Sequence, residues 1–332
     1  MRLQSVNFIY FGATLVSLVR MKEVSQCLRM VHEIWRFTQT PYNGPMLIDT
    51  HAHLDFPDFA NDLEDVLRRA EHADVKRIVT IGTSIQSSRR AIELAESYPS
   101  VYAAIGVHPS HVDKAEDDVI TPLRELAKNA RVVAIGETGL DYHHLPSEEV
   151  AKEKQVQVMT ALRSETDEEI EAQIRDGAYK SKQASLFQQQ LDLAVELGLN
   201  VVIHQRDAWE DTLEMLRPYT GKVRGVFHCF GGSLDQANEV LELDHLVSFT
   251  GIVTFKNGVG ARKVAAEIPL WKFMVETDCP YLAPTPFRGK RCEPAHARIV
   301  AEVIAAARGG SLGEIAETTT ETAEKFFRFN RA

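Results

Sequence analysis

Two histidines separated by a single residue, His51 and His53, follow an apolar run early in the chain. Side chains two positions apart on a β-strand point to the same face, and Asp49 precedes the pair on that face. Neutral imidazoles are common ligands of divalent metal ions. The pair is therefore a candidate half of a metal site. The alternative interpretation is one buried core histidine beside one solvated loop histidine.

Further residues with metal-binding side chains stand at the ends of other short apolar runs. They are His108, Glu137, His204, His228 and Asp278. In a parallel barrel the carboxyl ends of all strands face one mouth, so these side chains are expected to meet there. Even if His108 is left out, these residues and the pair described above supply four imidazoles and two carboxylates, which is more than one tetrahedral zinc ion needs. The set predicts two ions bridged by a carboxylate.

Taken singly, two of these residues have ordinary structural explanations. Glu137 could be the acid of a helix-capping turn, and Asp278 could form an Asx turn before Pro280. Their joint placement at strand ends, together with the histidines, favours the metal site.

The cysteines give no sign of a disulfide scaffold or a thiolate metal site. Cys27, Cys229, Cys279 and Cys292 form no CxxC pair, which is typical of a reducing compartment. Cys229 and Cys279 directly follow His228 and Asp278, so strand alternation predicts that both thiols turn away from the site and pack between barrel and helices.

The elements that would position the site are eight apolar runs, rich in β-branched residues, that alternate with stretches of helical period. The runs are Leu47–Thr50, Arg77–Ile81, Val101–Gly106, Val132–Gly136, Val201–His204, Val223–His228, Leu246–Thr250 and Phe273–Glu276. Helical stretches are Asp62–His72, Ser87–Tyr98 and Leu186–Leu197, with closing helices at Glu293–Arg308 and Leu312–Phe329. This alternation predicts an α/β fold, a TIM (β/α)8 barrel.

Two segments lie outside the alternation of strands and helices expected for the barrel. Residues 1–45 are interpreted as an N-terminal extension, poorly ordered or targeting-like, and residues 46–332 as the barrel domain. In the extension, the apolar stretch Asn7–Val19 is too short to span a bilayer and no signal-peptidase pattern follows it. Residues from about 146 to 182 form a polar, helix-favouring insertion after strand 4. It is either a helical flap over the site, a solvated insertion without a catalytic part, or a gene-model error.

The charge balance limits how a nucleic acid could be held. With 37 basic and 47 acidic residues the formal net charge is −10, so no global basic field exists to grip phosphates. A phosphate-bearing substrate would have to be held locally. The composition predicts a cytoplasmic protein without a membrane segment, with nuclear or organellar locations left open, and no obligate protein partner is evident.

Seven motifs, in order, resemble those of the TatD family of metal-dependent deoxyribonucleases, from Met46 to near the C-terminus. They are Asp49-Thr-His-Ala-His-Leu-Asp55, Gly106-Val-His-Pro109, Gly136-Glu-Thr-Gly-Leu-Asp-Tyr142, Val202-Ile-His-Gln-Arg-Asp-Ala208, His228-Cys-Phe-Gly-Gly232, Glu276-Thr-Asp-Cys-Pro-Tyr-Leu282 and Arg288-Gly-Lys290. The extension, the insertion and Cys292, where the family usually has Asn, depart from the family pattern.

The resemblance implies a TIM barrel of the metallo-dependent hydrolase superfamily that binds two divalent ions. One ion would be held by His51, His53, Glu137 and Asp278, and the other by Glu137, His204 and His228. Magnesium is the ion implied by the resemblance, whereas four imidazoles also suit manganese or zinc.

The resemblance also implies a deoxyribonuclease, 3′-5′ exonuclease-like, that takes single-stranded DNA ends. Asp278 and Glu137 are the expected catalytic residues, with Asp278 placed to accept a proton from the attacking water. His108, Arg206 and Lys290 are candidates for binding the phosphate. As alternatives, Arg206 pairs only with Asp207 or a helix end, and Lys290 is merely solvated.

Two rival functions keep the barrel. The first is a metal-dependent ester or amide hydrolase, such as an aminoacyl-tRNA deacylase. Many relatives in the superfamily bridge their ions with a carboxylated lysine on strand 4, and Glu137 at that place favours the nuclease. The second is a non-catalytic scaffold, which the complete ligand set disfavours.

Overall fold

The computed structural model of the chain describes residues 46–147 and 167–329, and its centre is a sheet of eight parallel strands. In chain order they are β1 (Leu47–Ala52), β2 (Val75–Ile81), β3 (Val101–Ile105), β4 (Val132–Asp141), β5 (Asn200–Arg206), β6 (Gly225–Phe227), β7 (Leu246–Phe249) and β8 (Phe273–Val275). Each strand pairs with the next. The sheet closes where Ala52 bridges Cys279 and where Thr50 Oγ1 donates a hydrogen bond to Val275 O at 3.1 Å. The predicted TIM barrel is confirmed.

Helices follow the strands and cover the outside of the barrel. Within the described residues they are α1 (Leu63–His72), α2 (Ile85–Ser97), α3 (Ile120–Leu126), α4 (Asp167–Leu197), α5 (Trp209–Leu216), α6 (Leu234–Glu242), α7 (Val259–Glu267), α8 (Ala297–Arg308) and α9 (Leu312–Phe327). Ser84, Ser233 and Ser311 begin three of them, because each side chain accepts a hydrogen bond from a backbone N–H three residues later. In the described part of the chain, no helix combines the length and apolar character needed to cross a membrane.

The inside of the barrel is a packed core that leaves only one end for a site. Buried residues from all eight strands, among them Ile48, Val202 and Met274, belong to one apolar cluster. Phe326, at the end of α9, joins this cluster, and its carbonyl accepts a hydrogen bond from Asn200 at the start of β5. The amino-terminal end of the barrel is therefore filled, and the carboxyl end of the strands forms the mouth.

One helix is much longer than the sequence pattern predicts. Within the described residues, the helix predicted at Leu186–Leu197 extends back to Asp167, so residues 167–182, assigned to the insertion, continue straight into it. Residues 167–182 are therefore helical, as their helix-favouring composition predicts, and they join the following helix without a break. Residues 1–45 and 148–166 lie outside the described residues, so the extension, the flap and the domain boundaries stay predictions.

Two buried glutamines of α4 anchor this helix to the strand ends around the mouth. Gln183 accepts a hydrogen bond from Asp141 N and donates one to Asp141 O, both at 2.9 Å. Gln190 accepts from Val107 N at 2.8 Å and donates to Thr138 Oγ1 at 2.7 Å. The two glutamines are seven residues apart, which is about two helical turns, so they lie on one face of the helix.

A buried histidine immediately before β7 is expected to make the stability of the fold depend on pH. His245 is fully buried, its Nδ1 accepts a hydrogen bond from Gly225 N–H at 2.9 Å, and its Nε2 has no partner among the described residues. Burial lowers the pKa of His245 to about 4. The folded state therefore binds a proton at His245 less readily than the unfolded chain does. The contribution of the neutral histidine to the free energy of unfolding is present above about pH 6.5 and is lost as the pH falls towards 4.

We expect His245→Asn, which keeps an acceptor near Gly225 N–H, to flatten the pH dependence of the free energy of unfolding. Between pH 7.5 and 4.5 the variant should lose about 2 to 3 kcal/mol less than wild type, because it has no imidazole to protonate. Urea unfolding at several pH values measures this. His72→Asn, at an exposed position of α1, is the control and should keep the wild-type slope. Equal slopes for His245→Asn and wild type would contradict the prediction.

Candidate metal centre

His51 and His53 converge at the mouth with two carboxylates. Their Nε2 atoms are 3.3 Å apart, and His53 Nε2 lies 3.4 Å from Asp278 Oδ1. His51 Nε2 lies 3.5 Å from Glu137 Oε2 and 3.6 Å from Asp278 Oδ1. Two ligands bound at about 2.1 Å to one tetrahedral ion are roughly 3.4 Å apart, so this spacing fits a shared ion.

The second carboxylate oxygen of Glu137 faces a further group of histidines. Oε1 lies 2.7 Å from both His204 Nδ1 and His228 Nε2, and 3.4 Å from His108 Nε2. Glu137 is therefore the centre of the cluster, with Oε2 towards His51 and His53 and Oε1 towards the other three imidazoles. This is the arrangement that a carboxylate bridging two ions requires.

The ligand atoms fall into three overlapping groups rather than two separate ones. Atoms within reach of one ion occur in His51, His53 and Asp278, in His51, Glu137 and His228, and in His108, Glu137 and His204. The structure thus brings together all six predicted ligands. It also places His108, predicted to bind substrate, among the possible ligands. The donor set of imidazoles and carboxylates fits divalent ions, and the division into two ions stays a prediction.

His51 reaches the mouth because β1 breaks the regular alternation of side chains. Leu47 packs in the cluster outside the strands and Ile48 in the cluster inside the barrel, so strict alternation would turn His51 outwards. Ala52 packs outside again, and the pairing of β1 with β2 shifts between Asp49 and Ala52. This irregularity turns His51 into the mouth. His51 and His53 therefore face the mouth together, as predicted, but a strand irregularity rather than regular alternation places His51 there.

A second irregularity has the same effect on Glu137. Ile135 and Leu140 both pack in the outer cluster, although they are five residues apart and so should face opposite sides. The pairing of β4 with β5 shifts between Ile135 and Thr138. β4 continues to Asp141 instead of ending at the predicted Gly136. Glu137 is therefore a residue within the strand that an irregularity turns inwards.

His228 and Asp278 follow shorter strands than predicted, and each begins a turn. β6 ends at Phe227 and β8 at Val275. Because the chain has left the strand, alternation no longer decides where the next thiol points. Cys279 is fully buried in the outer cluster, as predicted, whereas Cys229 is only partly buried, with Sγ 3.5 Å from Thr250 Oγ1.

Two buried carboxylates hold the ligands in place, and neither was predicted to have a role. Asp141 Oδ2 lies 3.2 Å from His204 Nε2. Glu276 accepts hydrogen bonds from Cys229 N and Ser248 Oγ, both at 2.6 Å, beside His228. Such partners orient metal ligands and tune their basicity. Both residues lie inside the quoted motifs, which was the only signal for them in the sequence.

Asp49 was expected beside the histidine pair, but it supports the turn that carries Asp278 instead. Its Oδ2 lies 2.6 Å from Thr277 Oγ1, and its Oδ1 accepts hydrogen bonds from Thr277 N at 2.9 Å and His51 N at 3.3 Å. Burial raises the pKa of Asp49 to about 8, so this carboxyl is largely protonated at neutral pH. Asp49 therefore links β1 to the turn after β8 as a neutral acid.

The electrostatics of the cluster centre on Glu137. Burial alone would raise its pKa, but the neighbouring His228, His108 and His51 hold the pKa of Glu137 well below its usual range. Burial opposes charge on His228 too, yet Glu137 raises the pKa of His228 well above its ordinary value. Burial lowers the pKa of His51, and lowers that of His108 to about 4. Since metal ligation needs neutral imidazoles, only part of the cluster must lose a proton to bind an ion.

Two predicted substrate-binding residues do not join the cluster. Arg206 ends β5 and Lys290 lies in the loop after β8, and both are exposed. In the described part of the chain, neither side chain forms a hydrogen bond or an ion pair. Asp207, the expected alternative partner of Arg206, pairs with His143 instead, at 2.7 Å between Oδ2 and Nδ1. The phosphate-binding roles of Arg206 and Lys290 stay predictions.

The chain is similar to known proteins over the whole barrel. The family model described as TatD related DNase matches residues 48–328. The uncharacterized metal-dependent hydrolase YabD of Bacillus subtilis (strain 168) is 40% identical over 287 residues, which cover 86% of this chain and all of that protein. The 3'-5' ssDNA/RNA exonuclease TatD of Yersinia pseudotuberculosis serotype O:3 (strain YPIII) is 32% identical over 289 residues, covering 85% and 99%. The crystal structure of YJJV, a TatD homolog from Escherichia coli K12, superposes with a TM-score of 0.71 at 30% identity, covering 85% and 98%.

We expect Asp49→Ala to weaken divalent metal binding about 10- to 100-fold, because it leaves the buried Thr277 without its partner and frees the turn of Asp278. Asp49→Asn should bind nearly as wild type, since the amide keeps an oxygen for Thr277 N–H and an NH2 group for the hydroxyl oxygen. Isothermal titration with manganese compares the three proteins. The role of Asp49 as a neutral acid is refuted if the Asn variant binds as weakly as the Ala variant.

Proposed function

The chain belongs to the family of TatD-related DNases, and from this membership and the geometry of the centre we propose that it is a 3′-5′ exonuclease of single-stranded DNA. At the coarser level it is a metal-dependent hydrolase of the TatD type. The position of Glu137, with Oε2 3.5 Å from His51 and Oε1 2.7 Å from His204 and His228, carries the proposal. A carboxylate that reaches two groups of histidines can bridge two ions, and two-ion centres are common in enzymes that cleave phosphodiesters.

The proposal divides the ligands between two divalent ions. His51, His53 and Asp278 would hold one ion and His204 and His228 the other, with Glu137 shared between them. When bound, the ions supply Lewis-acid polarisation of the phosphoryl oxygens and make a water molecule more acidic. We expect magnesium, while the imidazole ligands also suit manganese and zinc.

Asp278 is the best-placed proton acceptor of the centre. Its side chain is 14% exposed, whereas those of Glu137 and Glu276 are 4% and 1% exposed, so among these three it is the carboxylate that most readily meets a water from the mouth. Burial opposes its ionisation, but the hydrogen bond with His53 lowers the pKa of Asp278. At neutral pH it is therefore an ionised carboxylate that can accept a proton.

The open side of the cluster indicates where the phosphate would enter. The side chains of His108 and His204 are 14% and 15% exposed, compared with 0% for His51, so the centre faces solvent along the line from Asp278 to His108 and His204. A phosphodiester that enters there would contact the imidazoles of His108 and His204 on one side of the centre. With a net charge of −10, this local attraction suits the end of a strand better than a long duplex.

The relative from Yersinia pseudotuberculosis supports both the polarity and the single-stranded substrate, since it is named a 3'-5' ssDNA/RNA exonuclease. Its name also includes RNA, so the preference for DNA needs a direct comparison. An ester or amide hydrolase remains the alternative. The glutamate at position 137, in place of a carboxylated lysine, favours the phosphodiester substrate.

We expect Asp278→Ala and Asp278→Asn to lower kcat on a single-stranded oligonucleotide by at least about 100-fold, because both remove the proton acceptor and a ligand. Circular dichroism should show that both variants remain folded, since the residue lies at the mouth and outside the apolar clusters. Asp235→Asn, at an exposed position of α6, is the matched control and should keep wild-type activity. Wild-type rates in Asp278→Asn would refute the assigned role.

A substrate panel distinguishes the nuclease from its alternatives. Single-stranded DNA and RNA, each labelled at the 5′ end, and an aryl ester are incubated with wild-type protein and magnesium or manganese. A 3′-5′ exonuclease produces a ladder of shortening labelled products, whereas the opposite polarity releases a labelled mononucleotide first. Hydrolysis of the ester alone, in the absence of any nucleic acid shortening, would replace the nuclease with the ester hydrolase.

A further inference from the structure

Tyr281 presents an unusually exposed aromatic ring beside the metal centre. Among the described phenylalanine, tryptophan and tyrosine side chains, Trp271 and Tyr281 are the two that are exposed, at 65% and 55%. Trp271 precedes β8 and so lies at the filled end of the barrel, whereas Tyr281 follows Asp278 at the mouth. A single exposed apolar residue is ordinary on a protein surface. The position of Tyr281, three residues after a proposed ligand, is what distinguishes it.

The ring of Tyr281 is part of an aromatic wall that ends on a proposed metal ligand. Its centroid lies 6.0 Å from that of Phe56, with the two ring planes at 84°. Phe56 in turn stacks on His53 at 4.8 Å, and the Tyr281 ring lies 6.5 Å from His53. Because Phe56 is only partly exposed and already stacks on His53, Tyr281 supplies the larger accessible surface of this wall.

The turn that carries Tyr281 is fixed by one backbone hydrogen bond within itself and by two to other parts of the chain. Tyr281 N donates to Asp278 O at 3.0 Å, and Cys292 N donates to Pro280 O at 2.9 Å. His53 N donates to Cys279 O at 2.8 Å, which ties the same turn to the end of β1. The backbone of Tyr281 is therefore fixed before any substrate arrives, and the edge-on contact with Phe56 limits where the ring can lie, which reduces the entropy lost on binding.

We propose that Tyr281, supported by Phe56, stacks on a base of the nucleic acid strand whose terminal phosphodiester occupies the metal centre. This inference rests on the proposed nuclease function and adds the residue that recognises a base. Every base has a flat π surface, so stacking accepts all four bases and suits an enzyme that shortens a strand without reading its sequence. It also selects unpaired strands, because a base must leave a duplex stack to lie on the ring.

The test compares Tyr281→Ala with wild type on two single-stranded oligonucleotides that differ only in the bases next to the 3′ end. One carries normal thymidines there, and in the other the last two nucleotides are abasic tetrahydrofuran residues. For the thymidine substrate we expect Tyr281→Ala to raise KM about 5- to 100-fold with a smaller change in kcat, because stacking contributes mainly to binding. For the abasic substrate the same substitution should change KM by less than about twofold.

Two further variants separate stacking from a purely structural role. Tyr281→Phe keeps the ring and removes the hydroxyl, so it should bring KM for thymidine ends back to within about twofold of wild type. Trp271→Ala removes an exposed aromatic ring from the other end of the barrel and should leave KM unchanged. An equal rise of KM on both substrates in Tyr281→Ala, or no rise on either, overturns the proposal. If wild-type protein cleaves neither oligonucleotide, the nuclease function fails first and the stacking role fails with it.

Discussion

A carboxylate buried among imidazoles is the interaction on which the rest of this structure depends. Glu137 is only 4% exposed, and an ionised carboxylate taken out of water is costly unless opposite charge and hydrogen bonds compensate it. His51, His204 and His228 supply that compensation, and they come from three different strand regions. The barrel must therefore close in one register to satisfy this group. The imidazoles that stabilise Glu137 are also suitable ligands for divalent ions, so the same contacts serve both the fold and metal binding.

The support around the centre is built from buried polar groups rather than from apolar packing. Asp49 links the end of β1 to the turn after β8, and Glu276 holds the turn after β6 through Cys229 N. On the opposite side, Gln183 and Gln190 join α4 to the ends of β4 and β3. Each group uses a side chain to satisfy backbone atoms at a strand end, where the sheet no longer pairs them. The backbone at the mouth can thus depart from regular strand geometry while its polar atoms stay hydrogen-bonded.

The distribution of charge explains how an acidic protein could act on an acidic polymer. The formal net charge is −10, but His108 and His204 lie at the more open edge of the centre, and Glu137 lies deeper. A phosphodiester would therefore experience the local field of the mouth, and bound ions would strengthen it. Recognition then has to come from short-range contacts. The ring of Tyr281 beside the centre is such a contact surface, and it needs no long-range attraction.

The sequence by itself determined the strand and helix alternation, the barrel, and the identity of the six proposed ligands, because hydrophobic period and strand-end chemistry are local properties of the chain. It also located the motifs that contain Asp141 and Glu276, without assigning them a role. Only the tertiary structure decided how the ligands reach one another. The irregularities in β1 and β4 reverse the side to which His51 and Glu137 point, and they arise from pairing with neighbouring strands, which no local pattern records. The place of His108 among the possible ligands, the raised pKa of Asp49 and the unbroken length of α4 likewise depend on burial and on partners distant in the sequence.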